Sequence, residues 1–185
     1  NACKEANTAQ HLSDVMAGTE SGNRMNLETF VQRSYMEKIL CDANRRFRDM
    51  SNGQFELKLI NVEDAGEGKN KGLDLEVYSI VTGKTRSVNT LSGGESFMAA
   101  LSLALGMADQ IQAATAAIHL DVMFIDEGFG SLSDNARNEA VNILKEMAGK
   151  QRQIGIISHV SELKDEIENQ LIVKKDDRGS HISWR

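Results

Sequence analysis

The sequence predicts an α/β protein: strands and helices alternating around a covered parallel sheet, preceded by a small antiparallel β region and a long entering helix. Three observations carry that prediction. The runs VMFI at 122–125 and IGII at 154–157 are apolar on both faces, as strands inside a covered parallel sheet are, and a helical segment separates them. Phe55, Leu57 and Leu59, and then Leu73, Leu75 and Val77, recur at every second position, the period of strands buried on one face. Met36, Leu40, Ala43, Phe47 and Met50 recur at spacings of 4, 3, 4 and 3, a helical period with a heptad-like seam.

In chain order, residues 1–25 are polar and dotted with Gly, Ser and Asn, and are expected to form a lead-in or linker. The helix is expected over 26–50, with Asn26 as its N-cap and SNG at 51–53 ending it. It reads either as a surface helix packed on its own domain or as the root of a longer coiled coil. QFELKLI and LDLEVYSIV follow as strands, separated by the charged, Gly-rich loop NVEDAGEGKNKG, and TGKT turns the chain into RSVNT. Residues 54–88 thus form a small antiparallel sheet. Beyond it come a helix over about 95–113, the strand DVMFID, and a helix over about 134–149 that Ser133 or Asp134 can cap. The strand QIGIIS, a short helix SELKDEIE, and a hairpin of QLIVKK and SHISW around DDRG complete the expected 51–185 lobe.

Length and composition narrow the class. The 185 residues suffice for one domain with a substantial core, and 41% hydrophobic with 26% charged content is ordinary for a globular protein. A net charge of -6 with pI near 5.3 argues against a surface dominated by a nucleic-acid-binding field, while leaving room for a local basic patch. Acidic or amide residues interrupt every candidate apolar run short of 18 residues, so no membrane span is expected. Cys3 and Cys41 form neither a CxxC pair nor a disulfide framework, which points to a reducing cytoplasm. The chain opens on Asn, with no signal peptide, as a fragment would.

One apparent phosphate motif is rejected. In TGKT at 82–85 a P-loop would need a glycine where Tyr78 stands, and the stretch joins two alternating strands instead of opening a helix. No other GK[ST] occurs, so a Walker A loop is absent from this sequence.

Three other segments carry chemistry. In LSGGES, Gly93 and Gly94 free the backbone to approach a ligand, Ser92 adds a hydroxyl, and the following helix turns its unpaired N–H groups and positive dipole end toward an anion. The dipole supplies only about 0.3–1 kcal/mol at an exposed terminus, so such a site needs partners. In VMFIDE, an apolar strand ends in Asp126 and Glu127, placing two acids at the carboxyl edge of a sheet, where α/β proteins hold ligands. Asp126 suits Mg²⁺, held directly or through water, and Glu127 can orient an attacking water. In GIISHV, a second apolar strand ends in Ser158 and His159, a histidine placed to meet a phosphate oxygen or that water. His11, His119 and His181 have no such setting.

Taken in order, these segments resemble the carboxy-terminal lobe of an ABC-type P-loop NTPase head. LSGGE is similar to the signature motif, VMFIDE to Walker B, GSLSD to the D-loop region and ISHV to the switch histidine. Transporters usually carry Pro after the Glu; FIDEGFGSL instead resembles the SbcC exonuclease-subunit family, bacterial relatives of the SMC proteins, as do RFRDMSNGQFEL and ISHVSELKDEIENQLIVKK. The similarity covers about residues 36–184. It departs at the D-loop, where Ser131 and Leu132 are followed by Ser133, with Asp134 one place late.

The resemblance implies two heads sandwiching two ATP molecules. Leu91, Ser92, Gly93, Gly94 and Glu95 would close over the γ-phosphate of ATP bound to the partner head, with the D-loop residues Ser131, Leu132 and Ser133 at the same interface. Asp126 (with Mg²⁺), Glu127 and His159 would serve ATP in cis, His159 sensing the γ-phosphate. The implied partners are an amino-terminal lobe carrying Walker A, a second copy of the head, an SbcD-type metallophosphoesterase nuclease and double-stranded DNA, in the bacterial cytoplasm at the nucleoid. The helix at 26–50 would be where the coiled-coil arm enters. Half a site implies no ATP hydrolysis by this stretch alone. The competing expectations are an SMC-like DNA organiser without a nuclease, a transporter ATPase subunit, and a non-catalytic domain that kept the fold.

Overall fold

The computed structural model describes residues 2–17, 25–61, 72–114, 120–148 and 152–185. The chain divides into two units, residues 1–119 and 120–185.

The first unit opens with α1 (Ala2–Ala17), where a linker was expected. Its ACKEANTAQ stretch is rich in helix formers and free of Gly and Pro, which outweighs its weak apolar periodicity. After it comes α2 (Leu27–Met50), with Asn26 as the predicted cap: its side-chain oxygen accepts the Thr29 N–H at 2.7 Å. Leu40, Ala43, Phe47 and Met50 are buried as the seam requires. The strands β1 (Phe55–Leu59), β2 (Leu75–Ser79) and β3 (Lys84–Ser87) form an antiparallel sheet in that order, with Leu57 opposite Val77, both buried. TGKT joins two strands, as expected, with Thr82 and Gly83 in the β2–β3 turn, Gly83 at φ +66, and Lys84 and Thr85 opening β3. Most of NVEDAGEGKNKG falls outside the described residues. The Asn44 side chain fastens α2 to the sheet, donating to the Leu57 carbonyl at 2.8 Å and accepting the Leu57 N–H at 2.7 Å. One side chain thus satisfies both main-chain groups of a strand residue.

A 3₁₀ turn (Val88–Thr90) leads into α3 (Gly93–Ala114), which packs along α2. Ser102 and Gly106 are buried, and a Cβ on Gly106 would stand 2.8 Å from the Ile39 carbonyl oxygen and 3.1 Å from the Ala43 Cβ. The helices therefore touch backbone to backbone. At the rim, Arg46 pairs with Asp109 at 2.5 Å and Gln110 donates to Asp42 at 2.7 Å. The helix was expected over about 95–113, but by length and apolarity α3 could cross a membrane, where no such helix was expected. Its Met98, Leu101 and Leu105 are buried in the core beside α2.

In the second unit, β4 (Val122–Asp126) and β5 (Gln153–Ile157) pair in parallel, joined by a 3₁₀ turn (Phe129–Ser131) and α4 (Asp134–Ala148). A short helix α5 (Leu163–Glu166) follows, and β6 (Leu171–Asp176) and β7 (Gly179–Trp184) form the predicted hairpin. Phe129, Leu132, Ala136, Ala140, Val141, Leu144 and Leu163 are buried. Each large apolar side chain so buried contributes about 1.5–3 kcal/mol.

The prediction of strands covered on both faces needs correction within this chain. Val122 is 50%, Phe124 72% and Ile157 55% exposed. Among the described residues β4 and β5 pair only with each other. Phe124 lies opposite Gly155, and a Cβ there would come within 2.6 Å of its ring, so the ring rests on the space glycine leaves.

Candidate functional site

The LSGGE loop of the first unit is held by its own side chains. Ser92 is exposed, and α3 starts at Gly93. The Ser92 hydroxyl accepts the Glu95 N–H at 3.3 Å, while the Glu95 carboxylate accepts the Ser92 N–H at 2.8 Å, a reciprocal capping box. Leu91, Gly94 and Glu95 are half-buried and Gly93 is exposed. Arg86 of β3 reaches the same loop. It donates to the Thr90 carbonyl at 2.8 Å and pairs with Glu95 at 3.1 Å, while its guanidinium stands 5.3 Å from the Phe55 ring centroid. Burial alone would raise the Glu95 pKa, but the Ser92 N–H and the Arg86 guanidinium together bring it below the ordinary carboxylate value. Arg86 escaped the sequence reading because nothing in TRSV distinguishes an arginine that folds back from one left in solvent.

At the carboxyl edge of the second unit's sheet, Asp126 ends β4 opposite Ile157 of β5. The Glu127 N–H continues the ladder by donating to the Ile157 carbonyl at 2.8 Å. Glu127 sits at φ +60 and Gly128 at φ +96. A non-glycine residue in this left-handed region costs about 1–2 kcal/mol, and strain of this kind collects where a side chain must be aimed. Here the Glu127 carboxylate meets His159 Nδ1 at 2.8 Å. Both side chains are exposed, so the pair is open to a ligand. Asp126, Glu127 and His159 thus share one sheet edge, as the strand-end argument predicted.

The chain then turns on Phe129, which is 0% exposed and anchors the loop. Ser131 donates its hydroxyl to the Gly128 carbonyl at 2.8 Å. Leu132 is buried, so its side chain holds the loop down while Ser131 and Ser133 stay exposed. Ser133 is the cap of α4, accepting the Ala136 N–H at 3.4 Å. Asp134, one place late, lies inside the helix and pairs with Arg137 at 2.5 Å, and Arg137 also reaches Glu162 at 3.6 Å. Among the described residues no group of three or more His, Cys, Asp or Glu side chains could hold a metal ion. Asp126 would offer Mg²⁺ a single carboxylate, and that ion accepts as little as one carboxylate alongside water and phosphate oxygens.

The chain is similar in sequence and in fold to known proteins. Residues 70–146 match the SbcC/RAD50-like, Walker B motif family. The SbcC component of the SbcCD nuclease of Vibrio cholerae is 45% identical over 172 residues, covering 92% of this chain and 17% of that protein. The same component of the Treponema pallidum nuclease is 42% identical over 171 residues, covering 92% of this chain and 16% of that protein. The chain therefore spans about a sixth of the length of these relatives. Among solved structures, an SMC ATPase studied for ATP-driven dimerization and DNA-stimulated activation superposes with a TM-score of 0.64 at 19% identity, covering 85% of this chain and 89% of that one. The Pyrococcus furiosus Smc head domain, solved with an extended coiled coil and bound to the C-terminal domain of ScpA, gives 0.63 at 16% identity, covering 100% of this chain and 41% of that one.

The fold is that of the carboxy-terminal lobe of a P-loop, ABC-type head, as in the SMC heads on which it superposes. Within that class, its sequence belongs to the SbcC-type, SbcC/RAD50-like family.

Proposed function

We propose that this chain is the carboxy-terminal half of the ATP-hydrolysing head of an SbcC-type nuclease complex. The observation that carries the proposal is the 2.8 Å pairing of Glu127 with His159 beside Asp126. Glu127, already strained into place, orients the attacking water and takes its proton at the carboxylate oxygen. His159 holds that carboxylate and senses the γ-phosphate that displaces it. Asp126 would hold Mg²⁺, directly or through water, and that ion, when bound, would offset charge on the phosphate oxygens. The loop at 91–95 closes over the γ-phosphate of ATP on a second copy of the head, with Ser131, Leu132 and Ser133 at the same contact.

An amino-terminal lobe of the same head supplies the Walker A loop. The open apolar face of β4 and β5, with Phe124 72% exposed, supports such a lobe as its cover. By the same reading, α2 is the root of the coiled-coil arm. Head opening on hydrolysis drives an SbcD-type metallophosphoesterase acting on double-stranded DNA ends and hairpins in repair, in the bacterial cytoplasm at the nucleoid. The likeness to Smc heads favours a second reading, a DNA-organising ATPase without a nuclease. Copurification of a metallophosphoesterase separates the two.

The test is Glu127→Gln in the full-length protein. ATP binding is expected to persist while turnover falls by 10²–10³, the effect of about 3–4 kcal/mol of lost transition-state stabilisation. Unchanged turnover would reject Glu127 as the water-orienting group.

A further inference from the structure

We propose that Arg86 is the positioning residue of the Ser92–Gly93–Gly94 loop, fixing its amides in the ligand-ready arrangement before any phosphate arrives. This rests on the loop being a γ-phosphate lid. Two glycines make the loop receptive, but they also leave it with many conformations to lose on binding. The structure supplies a restraint. One guanidinium spans the two ends of the loop, donating to the Thr90 carbonyl at 2.8 Å and to the Glu95 carboxylate at 3.1 Å. The Glu95 carboxylate in turn holds the Ser92 N–H at 2.8 Å, so the arginine fixes the acid that fixes the serine.

Arg86 is itself held. Its guanidinium stands 5.3 Å from the Phe55 ring centroid, and Phe55 stacks on the fully buried Phe47 with centroids 6.1 Å apart. The loop is thereby tied to the core of the first unit through a planar cation on an aromatic platform. Only Arg offers a rigid fork that serves two acceptors at once. A lysine ammonium on a flexible stem holds its acceptors less firmly. Because Glu95 already neutralises it, Arg86 acts here through geometry and not as a free charge aimed at phosphate.

A residue that pre-orders a lid changes how often the site is competent, and apparent affinity weakens by the fraction lost. In the full-length protein, Arg86→Gln is therefore expected to raise the KM for ATP about tenfold, with kcat at saturating ATP within about twofold of the parent. Arg86→Lys should fall between the two. Glu95→Gln keeps an oxygen for the Ser92 N–H but loses the ion pair, and should raise KM less than Arg86→Gln does. A merely structural Arg86 would lower kcat through inactive protein and leave KM unchanged, and that result would overturn the proposal. Ser92→Arg separates the two levels. If it leaves ATP-dependent head association intact, the lid reading itself fails. If it abolishes association while Arg86→Gln leaves KM unchanged, only the role of Arg86 fails. Should Arg86→Gln fold poorly, Arg86→Lys and Glu95→Gln still decide, since parental KM values for both would refute the positioning role.

Discussion

Replacing Gly106 with alanine sets two physical effects against each other with opposite signs. In the interior of α3, alanine is the better helix former by about 1 kcal/mol, so propensity alone predicts a gain in stability. The structure predicts a loss. The new Cβ would lie 2.8 Å from the Ile39 carbonyl oxygen, 3.0 Å from the Ala43 nitrogen and 3.1 Å from the Ala43 Cβ. Two of these are main-chain atoms of α2, which cannot rotate away as a side chain can, so one helix must move off the other. Overpacking of a tight core costs about 1–3 kcal/mol. Contact with backbone places this case in the upper half, about 2–3, and the propensity gain leaves a net cost of about 1–2 kcal/mol. Amide hydrogen exchange in the full-length protein, read over peptides within 36–50 and 98–110, measures the effect where it arises. Exchange should quicken by about 5–30-fold, the factor that 1–2 kcal/mol represents, and Gly106→Val should quicken it further. Slower exchange in Gly106→Ala would show that propensity governs here and that the close helix approach is not a constraint.

Two other outcomes follow from the site. Purified as it stands, this chain is expected to show no ATP turnover above background, because no Walker A loop occurs in its sequence; turnover at the rate of an intact head would refute the split-site proposal. For Glu95, burial opposes ionisation, but the Ser92 N–H and Arg86 outweigh it and lower the pKa. Its contribution to loop order is therefore complete above the ordinary carboxylate range and is lost only as pH falls through the lowered value. Corrected exchange rates of the amides at 92–96 should stay level from neutrality down to about pH 5, and a rise above that pH would contradict the assigned contacts.

Much of this molecule was readable from local pattern. Helix α2 follows from its 4-3-4-3 seam and the Asn26 cap, and β1 and β2 from alternation. The acids at 126 and 127 were placed at a sheet edge because four apolar residues precede them, and the histidine at 159 because another apolar run does. Such inferences succeed because helix and strand periods are written in neighbouring residues. Helix α1 was missed because its helical repeat, Ala6, Ala9, Leu12 and Met16, is half alanine among polar neighbours and so reads as a polar linker.

What tertiary structure alone decided lies in contacts between residues far apart in the chain. Phe124 reads as a core residue, yet it is 72% exposed, because periodicity reports how apolar a face is and not whether anything within the chain covers it. The Asn44 clasp on Leu57, the backbone contact at Gly106 and the pairing of Glu127 with His159 each join separate elements. Sequence by itself determined which elements form, the family to which the chain is related, and which acids and histidine stand at strand ends. Folding decided which side chains meet, because a hydrogen bond or a close approach depends on positions to within an ångström, a precision that local patterns of polarity do not contain.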